Sequence, residues 1–237
     1  QPFFKWYGKK WKDILNSFEH LFIQNESSLE LLSSIGLKNK SIVSGDTRFD
    51  RVIEIAEKKE SVEGIAEFIN NKKVLVAGST WEEDEELLVH YSKIEKNIKF
   101  IIVPHEIGPR HIGELEYVLI EKAGLKPDDI SIYSHQKENV YAARVLIIDT
   151  VGLLSSIYHY GELAYVGGGF GKGIHNVLEA AVYGIPVFFG PHYDKFKEAK
   201  ELIDEGGAFT INSSENLLYG LELLLNNNEE YKKAASA

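Results

Sequence analysis

The 237-residue chain contains no cysteine and no methionine. Without cysteine there can be no disulfide, no thiolate metal site and no cysteine nucleophile, which fits a reducing compartment. No apolar run approaches the roughly 18–20 residues needed to span a bilayer. The opening stretch QPFFKWYGKKWKD does not read as a signal peptide. The first residue is Gln1 and not Met, which leads us to expect a fragment of a longer protein. Positive charge is scarce. The 26 Lys+Arg stand against 36 Asp+Glu, for a net charge of −10. That argues against nucleic acid or anionic lipid binding over the whole surface, while a local basic pocket stays open. At 44% hydrophobic and 26% charged residues, the chain has ordinary globular composition, enough for one large domain or one domain plus a piece of another.

What is present is an alternation of short apolar runs and amphipathic stretches. Residues 1–44 stand apart: an aromatic, basic opening, then a short strand at Leu21–Ile23 and a helix capped by Asn25 or Ser27 and closed by Gly36. From residue 45 onward the runs 72–79, 98–105, 129–134, 143–150, 162–169, 185–190 and 208–211 read as strands. Between them 81–96, 108–125, 151–161, 174–184, 194–207 and 214–227 read as helices. Apolar runs without polar alternation imply burial on both faces. The expected fold is therefore α/β, a doubly wound parallel sheet of Rossmann-like type.

In such sheets ligands bind beyond the carboxyl ends of the strands. The residues there are Gly78-Ser79-Thr80, Pro104-His105-Glu106, Asp149-Thr150-Val151-Gly152, Gly167 to Gly173, and Gly190-Pro191-His192. The strongest local feature is YVGGGFGKGIHNVLEAAVYGIPVFFG at 165–190. Its glycines would let backbone amides approach an anion at a helix start, with Lys172 adding charge. His175 and Glu179, four apart, would share one helix face, and Glu179 would read the hydroxyls of a ribose. A plain structural reading stands beside each. Glycine-rich turns occur without phosphates, and this is neither a P-loop nor the dinucleotide fingerprint. Ser79, Thr80, Asp149 and Thr150 suit helix caps, and the acids at 82–86 suit a solvated helix face. His105 beside Glu106 suits a solvated loop, and Tyr158, His159 and Tyr160 suit packing and surface. A His175/Glu179 metal pair lacks a third ligand.

Taken in order, GDTRFDRV, VAGSTWEEDEELL, IIVPHE and IIDTVGLLSSIYHYGELAYVGGGFGKGIHNVLEAAVYGIPVFFGPHYDKFKEA resemble the 3-deoxy-D-manno-octulosonic acid (Kdo) transferases over about residues 17–210. The resemblance implies the C-terminal domain of a GT-B glycosyltransferase, with residues 1–44 a remnant of the N-terminal acceptor domain and 45–237 the donor domain. It implies CMP-Kdo as donor, a lipid A precursor as acceptor held by the missing domain, and no cofactor or catalytic metal. The full-length protein would sit peripherally at the cytoplasmic face of a bacterial inner membrane, with no nucleic-acid partner. The fragment would be soluble and inactive, since the catalytic base, a glutamate, would lie in the missing half.

Carried over by motif, the donor site would comprise Ser79, Thr80, Pro104, His105, Glu106, Asp149, Thr150, Gly152, Gly168, Gly169, Gly173, His175, Asn176 and Glu179. The arginine that the family carries near Pro104 is not at the equivalent place, and Arg110 stands in for it. Alternatives are another GT-B enzyme, such as a UDP-sugar transferase or a UDP-GlcNAc 2-epimerase, or a non-catalytic nucleotide-binding module. The basic aromatic stretch with Lys5, Trp6, Tyr7, Lys9, Lys10, Trp11 and Lys12 would touch an anionic membrane or, as the favoured reading, order only against the missing domain.

Overall fold

The computed structural model describes residues 8–58, 60–94, 97–135 and 139–237. The first part of the basic aromatic stretch, through Tyr7, lies outside them. The chain divides into compact units 1–51 and 52–237. In the first, helix α1 (Lys9–Asn16) precedes strand β1 (Leu21–Ile23), helix α2 (Glu26–Ser34) and strand β2 (Ser41–Val43). The Asn25 side chain accepts from the Ser28 amide and so caps α2. Gly36, at φ +79°, ends that helix, as expected. Strands β1 and β2 pair in parallel and form a sheet of only two strands.

The boundary between the units falls inside helix α3 (Thr47–Lys58). The second unit continues with α4 (Ile65–Ile69), β3 (Lys73–Thr80), α5 (Glu82–Ile94), β4 (Ile98–Pro104), α6 (Pro109–Glu121), β5 (Ile130–Ile132) and β6 (Val145–Ile147). Then come α7 (Leu154–Ile157), β7 (Leu163–Val166), α8 (Leu178–Ala181), β8 (Val187–Phe189), α9 (Lys197–Glu205), β9 (Ala208–Thr210), α10 (Ser214–Asn226) and α11 (Asn228–Ala235). All seven strands β3 to β9 are parallel, in the order β5-β6-β4-β3-β7-β8-β9. The winding reverses between β3 and β7, where a doubly wound sheet opens its ligand crevice.

The expected burial on both faces is met. Leu75, Ala77, Phe100, Ile102 and Tyr165 point into one core with residues of α5, α6, α10 and α11. Their neighbours Val74, Val76, Ile101, Val103 and Val166 point into the other, with residues of α4 and α8 and Ala199 of α9. Side chains alternate while both sets are apolar, which is why the strands read as unbroken runs. Lys99 is the exception within β4. It is 7% exposed, and its Nζ donates to the Phe68 and Tyr141 carbonyls. Burial holds its pKa below the usual lysine value.

Two expected helices are much shorter. The run 174–184 contains only the four-residue α8; residues 174–176 are not helical, and the Ile174 and His175 amides donate across the crevice to the His192 and Gly167 carbonyls. The run 151–161 contains α7 followed by a 3-10 turn at Tyr158–Tyr160. Tyr158 takes the packing role, buried in the core. Helix α11, not anticipated, begins where the Asn227 side chain accepts from the Glu229 and Glu230 amides.

Candidate functional site

The crevice is built first from a defect in β3. Its pairing with β4 shifts register between Gly78 and Thr80, and Ser79 between them takes φ +54°. Such a bulge re-aims the chain at a strand end. The Thr80 side chain turns inward, fully buried, and its hydroxyl donates to Glu85 Oε1 at 2.9 Å. Thr80 is therefore committed to the protein and offers no hydroxyl to a ligand. Facing the bulge is the turn after β7. A Cβ on Gly167 would lie 2.2 Å from the Ser79 carbonyl oxygen, so the two backbones touch at a distance that only glycine permits.

What holds that turn was not expected. Asp84, which reads from the sequence as part of a solvated face, is 1% exposed, and Glu85 beside it is 5% exposed. Asp84 Oδ2 accepts from the Gly168 amide at 2.8 Å and from the Trp81 amide at 3.0 Å, while Oδ1 accepts from the Tyr165 hydroxyl at 2.6 Å. One carboxylate thus joins the start of α5, strand β7 and the glycine turn. Burial raises its pKa above the ordinary value despite these donors. The correction has a sequence signal: Asp84 and Glu85 precede the buried pair Leu88 and Val89 by four residues, on the inward stripe of α5.

The turn then uses most of its own amides. Gly167 donates to Gly78, Gly171 and Gly173 both donate to Gly168, and His175 donates to Gly167. Among the described hydrogen bonds, the amides of Gly169, Phe170 and Lys172 donate to nothing. The loop after β8 is stitched alongside, its His192 amide donating to Gly169 O at 2.9 Å and its His192 Nδ1 lying 2.8 Å from Gly171 O.

Three rings close one side of the crevice. Trp81 and His105 stack with centroids 4.4 Å apart, and His105 and His175 stack at 4.6 Å. Trp81 Nε1 donates to His175 Nε2 at 3.0 Å, so the neutral His175 ring carries its proton on Nδ1. His105 is the middle ring of the stack, and Trp81, which reads from the sequence only as a helix start, ties its two ends together through the bond to His175. Burial, and next the nearby His105, hold the His175 pKa below its ordinary value of 6.5. Protonating Nε2 destroys an acceptor. Tryptophan fluorescence is therefore expected to shift with a midpoint below pH 6.5, and the His175→Gln variant to lack that step. Because the folded pKa is depressed, the stability tied to this hydrogen bond is present at pH 7 and is lost as pH falls through it.

His175 does not share a helix face with Glu179, since it precedes α8. Glu179 Oε1 accepts from the Asn176 side-chain amide at 3.0 Å and Oε2 from the Ser155 hydroxyl at 2.6 Å. Asn176 and Glu179 are thus brought together, with Tyr183 donating to the Ser155 carbonyl beneath them. Asp149 serves the chain: it accepts from the Ser134 amide at 2.9 Å and from the Ser134 hydroxyl, tying the turn after β5 to the end of β6. Thr150 is half-buried and Gly152 exposed, at φ +86°. Pro104 ends β4 opposite Thr80. Glu106 is exposed and shares a cavity of about 260 Å³ with Thr80, Trp81 and His111.

Arg110 is not brought to the glycine turn. It sits at the start of α6, its side chain 91% exposed and paired with Glu114 at 2.8 Å. The cavity it lines, about 370 Å³, contains Glu82, Glu85, Glu86 and His111 and none of the other expected donor residues. Glu82, His111 and Glu114 each bring one ligand atom within 4.8 Å of the others. Arg110 on Glu114 and Glu85 on His111 already draw on that set. Among the described residues no helix is long and apolar enough to cross a membrane.

No family model matches the chain. Its fold is that of the C-terminal domains of GT-B glycosyltransferases and of related epimerases. The crystal structure of the C-terminal CMP-Kdo binding domain of WaaA from Acinetobacter baumannii superimposes with a TM-score of 0.61 at 22% identity, covering 79% of this chain and 95% of that one. UDP-GlcNAc 2-epimerase from Neisseria meningitidis, bound to UDP-GlcNAc, gives 0.60 at 20% identity, covering 92% of this chain and 55% of that one. Within this class the sequence is a relative of the Kdo transferases. It is 29% identical over 226 residues to the 3-deoxy-D-manno-octulosonic acid transferase of Rickettsia bellii, covering 92% of this chain and 52% of that protein. The resemblance read from the motifs is thereby shown. The chain spans about half the length of the curated relatives it matches.

Proposed function

We propose that this chain is the donor-binding half of a Kdo transferase, which moves Kdo from CMP-Kdo to a lipid A precursor. The observation that carries the reading is the glycine turn at the β3/β7 reversal, clamped by Asp84, in a chain whose relatives are Kdo transferases. The amides of Gly169, Phe170 and Lys172 would meet the donor's phosphate and the charge that develops on it as CMP leaves. Glu179, supported by Ser155 and Asn176, would accept from the ribose hydroxyls. His175 would face the sugar from the ring stack. Here Ser79, Pro104, Asp149 and Thr150 shape the crevice.

The acceptor, the catalytic base that deprotonates its hydroxyl, and any contact with the inner face of the bacterial inner membrane belong to the rest of the protein on this reading. The first unit supports it. A two-stranded parallel sheet is not normally free-standing, and this unit exposes Trp11, Ile14, Phe18, Phe22 and Ile42. These residues would belong to the acceptor domain and the segment joining it to the donor domain. The 237-residue chain alone would then bind nucleotide weakly and transfer nothing.

Titration calorimetry of this chain with CMP, CDP, UMP and UDP tests the reading, with CMP expected to bind best. A preference for UDP would favour the second reading, a UDP-sugar enzyme such as the epimerase whose fold is equally close. Binding of none of the four would remove the donor-site assignment.

A further inference from the structure

Beside the glycine turn lies a cavity of about 300 Å³ lined by Gly171, Lys172, His192, Asp194, Lys195 and Phe196. Its charge runs against that of the chain as a whole, which carries a net −10. It holds two lysines and a histidine against one acid, and that acid, Asp194, lies 3.7 Å from Lys200. No carboxylate pairs with Lys172 or Lys195 among the described residues, whereas Lys197, nearby on α9, is neutralised by Glu201 at 2.6 Å. The position is tied to the proposed phosphate site by covalent and hydrogen-bonded links. Lys172 is a residue of the turn itself. His192 Nδ1 lies on the Gly171 carbonyl and the His192 amide on the Gly169 carbonyl, which leaves His192 Nε2 free of the turn.

We infer that Lys172 and Lys195, with His192, form a second anion subsite that takes the carboxylate of a nucleotide-activated sugar acid. The inference rests on the donor reading above and extends it to the sugar. Such a donor bears two anions, the phosphate and the carboxylate, both on the anomeric carbon of the acid sugar. An anion subsite reached from the same turn is what distinguishes it from a donor with a neutral sugar. Lysine suits the task, because a flexible ammonium on each side can close on a carboxylate without a fixed fork.

The test is titration calorimetry of the wild-type chain and of the Lys172→Gln/Lys195→Gln double variant with two probes, CMP and freshly prepared CMP-Kdo. The wild type is expected to bind CMP-Kdo at least about tenfold more tightly than CMP, the size of one charge-assisted hydrogen bond. The double variant is expected to lose the preference, binding CMP-Kdo and CMP within about twofold of each other. Single variants should each lose part of it. If the double variant keeps the wild-type preference, the carboxylate is held elsewhere and the inference fails. If CMP and CMP-Kdo weaken equally, the lysines serve the phosphate, and the inference fails while the donor reading stands. If the wild type binds neither probe, the donor reading itself falls and takes this subsite with it.

Discussion

Asp84→Ala is expected to cost about 3 kcal/mol of stability or more, and to abolish nucleotide binding, whereas Asp84→Asn is expected to keep both. The alanine variant strands three donors in a buried place: the Trp81 amide, the Gly168 amide and the Tyr165 hydroxyl. Two are backbone groups that cannot turn to other partners, and the site is too buried to hydrate them easily. The asparagine variant can satisfy both amides and still bond Tyr165, leaving only the Tyr165 hydroxyl hydrogen to find another acceptor. Its side-chain oxygen takes the place of Oδ2 and accepts both amides, and its NH2 donates to the Tyr165 oxygen once that hydroxyl rotates. Denaturant melts of the three proteins, with CMP titration, give the comparison. An asparagine variant as damaged as the alanine variant would mean that the negative charge, and not the hydrogen-bond geometry, holds the turn.

The same pair predicts a difference in pH dependence. Burial raises the folded-state pKa of Asp84 above its ordinary value of 3.8. The native state therefore holds this proton more tightly than the unfolded chain, and stability falls as pH rises from about 3.8 through the raised value. Asp84→Asn has no such proton, so its stability should be flatter over that window. Glu85 is raised for the same leading reason, burial, which is common to both proteins; the smaller part that the Asp84 charge adds to it is lost in Asp84→Asn and flattens that variant further.

The second large effect is expected at Gly167→Ala. The added methyl would lie 2.2 Å from the Ser79 carbonyl oxygen and 2.7 Å from the Thr80 Cα. Both are backbone atoms of the β3 bulge, so no side chain can swing aside, and relief requires β3 and β7 to part at the crevice. A loss of about 3 kcal/mol or more, with loss of the CMP site, is the expected result. Gly113→Ala on α6 is the control. A Cβ there meets nothing within 4 Å, and the helix should be unharmed or slightly stabilised. If Gly167→Ala melts within about 1 kcal/mol of wild type, the bulge is more compliant than the close packing of interiors implies, and the turn's geometry does not depend on that contact.

The architecture was legible in the sequence because its signal is local and redundant. Each of the runs around Leu75, Ile101, Leu146, Ala164 and Phe188 is apolar on both alternating faces, which states a parallel sheet covered twice. The strand ends were legible for the same reason, and they led to Ser79, His105, Gly168 and His175. Helix lengths were not. The stretch from Ile174 to Gly184 has helical spacing, yet residues 174–176 are not helical and instead join the chain to Gly167 and His192 across the crevice, a link of which local pattern carries no record. The same holds for Asp149, which looked like a ligand or a cap for the next helix and instead binds Ser134 fifteen residues back.

Composition and pattern alone determined that this chain is an α/β domain without cysteine chemistry, with a glycine-rich turn at a strand end and with motifs in the order of the Kdo transferases. Those properties depend on residue type and on spacing along the chain. Only the tertiary structure decided that Asp84 is the clamp and not a solvated acid, that Trp81 joins two histidines, that Thr80 is spent on Glu85, and that Arg110 faces away from the turn. Each of these turns on which donor meets which acceptor, across separations of 3 to 94 residues of sequence. Pairings of that reach are settled by strand order and register, where one added residue at the Ser79 bulge is enough to re-aim a side chain.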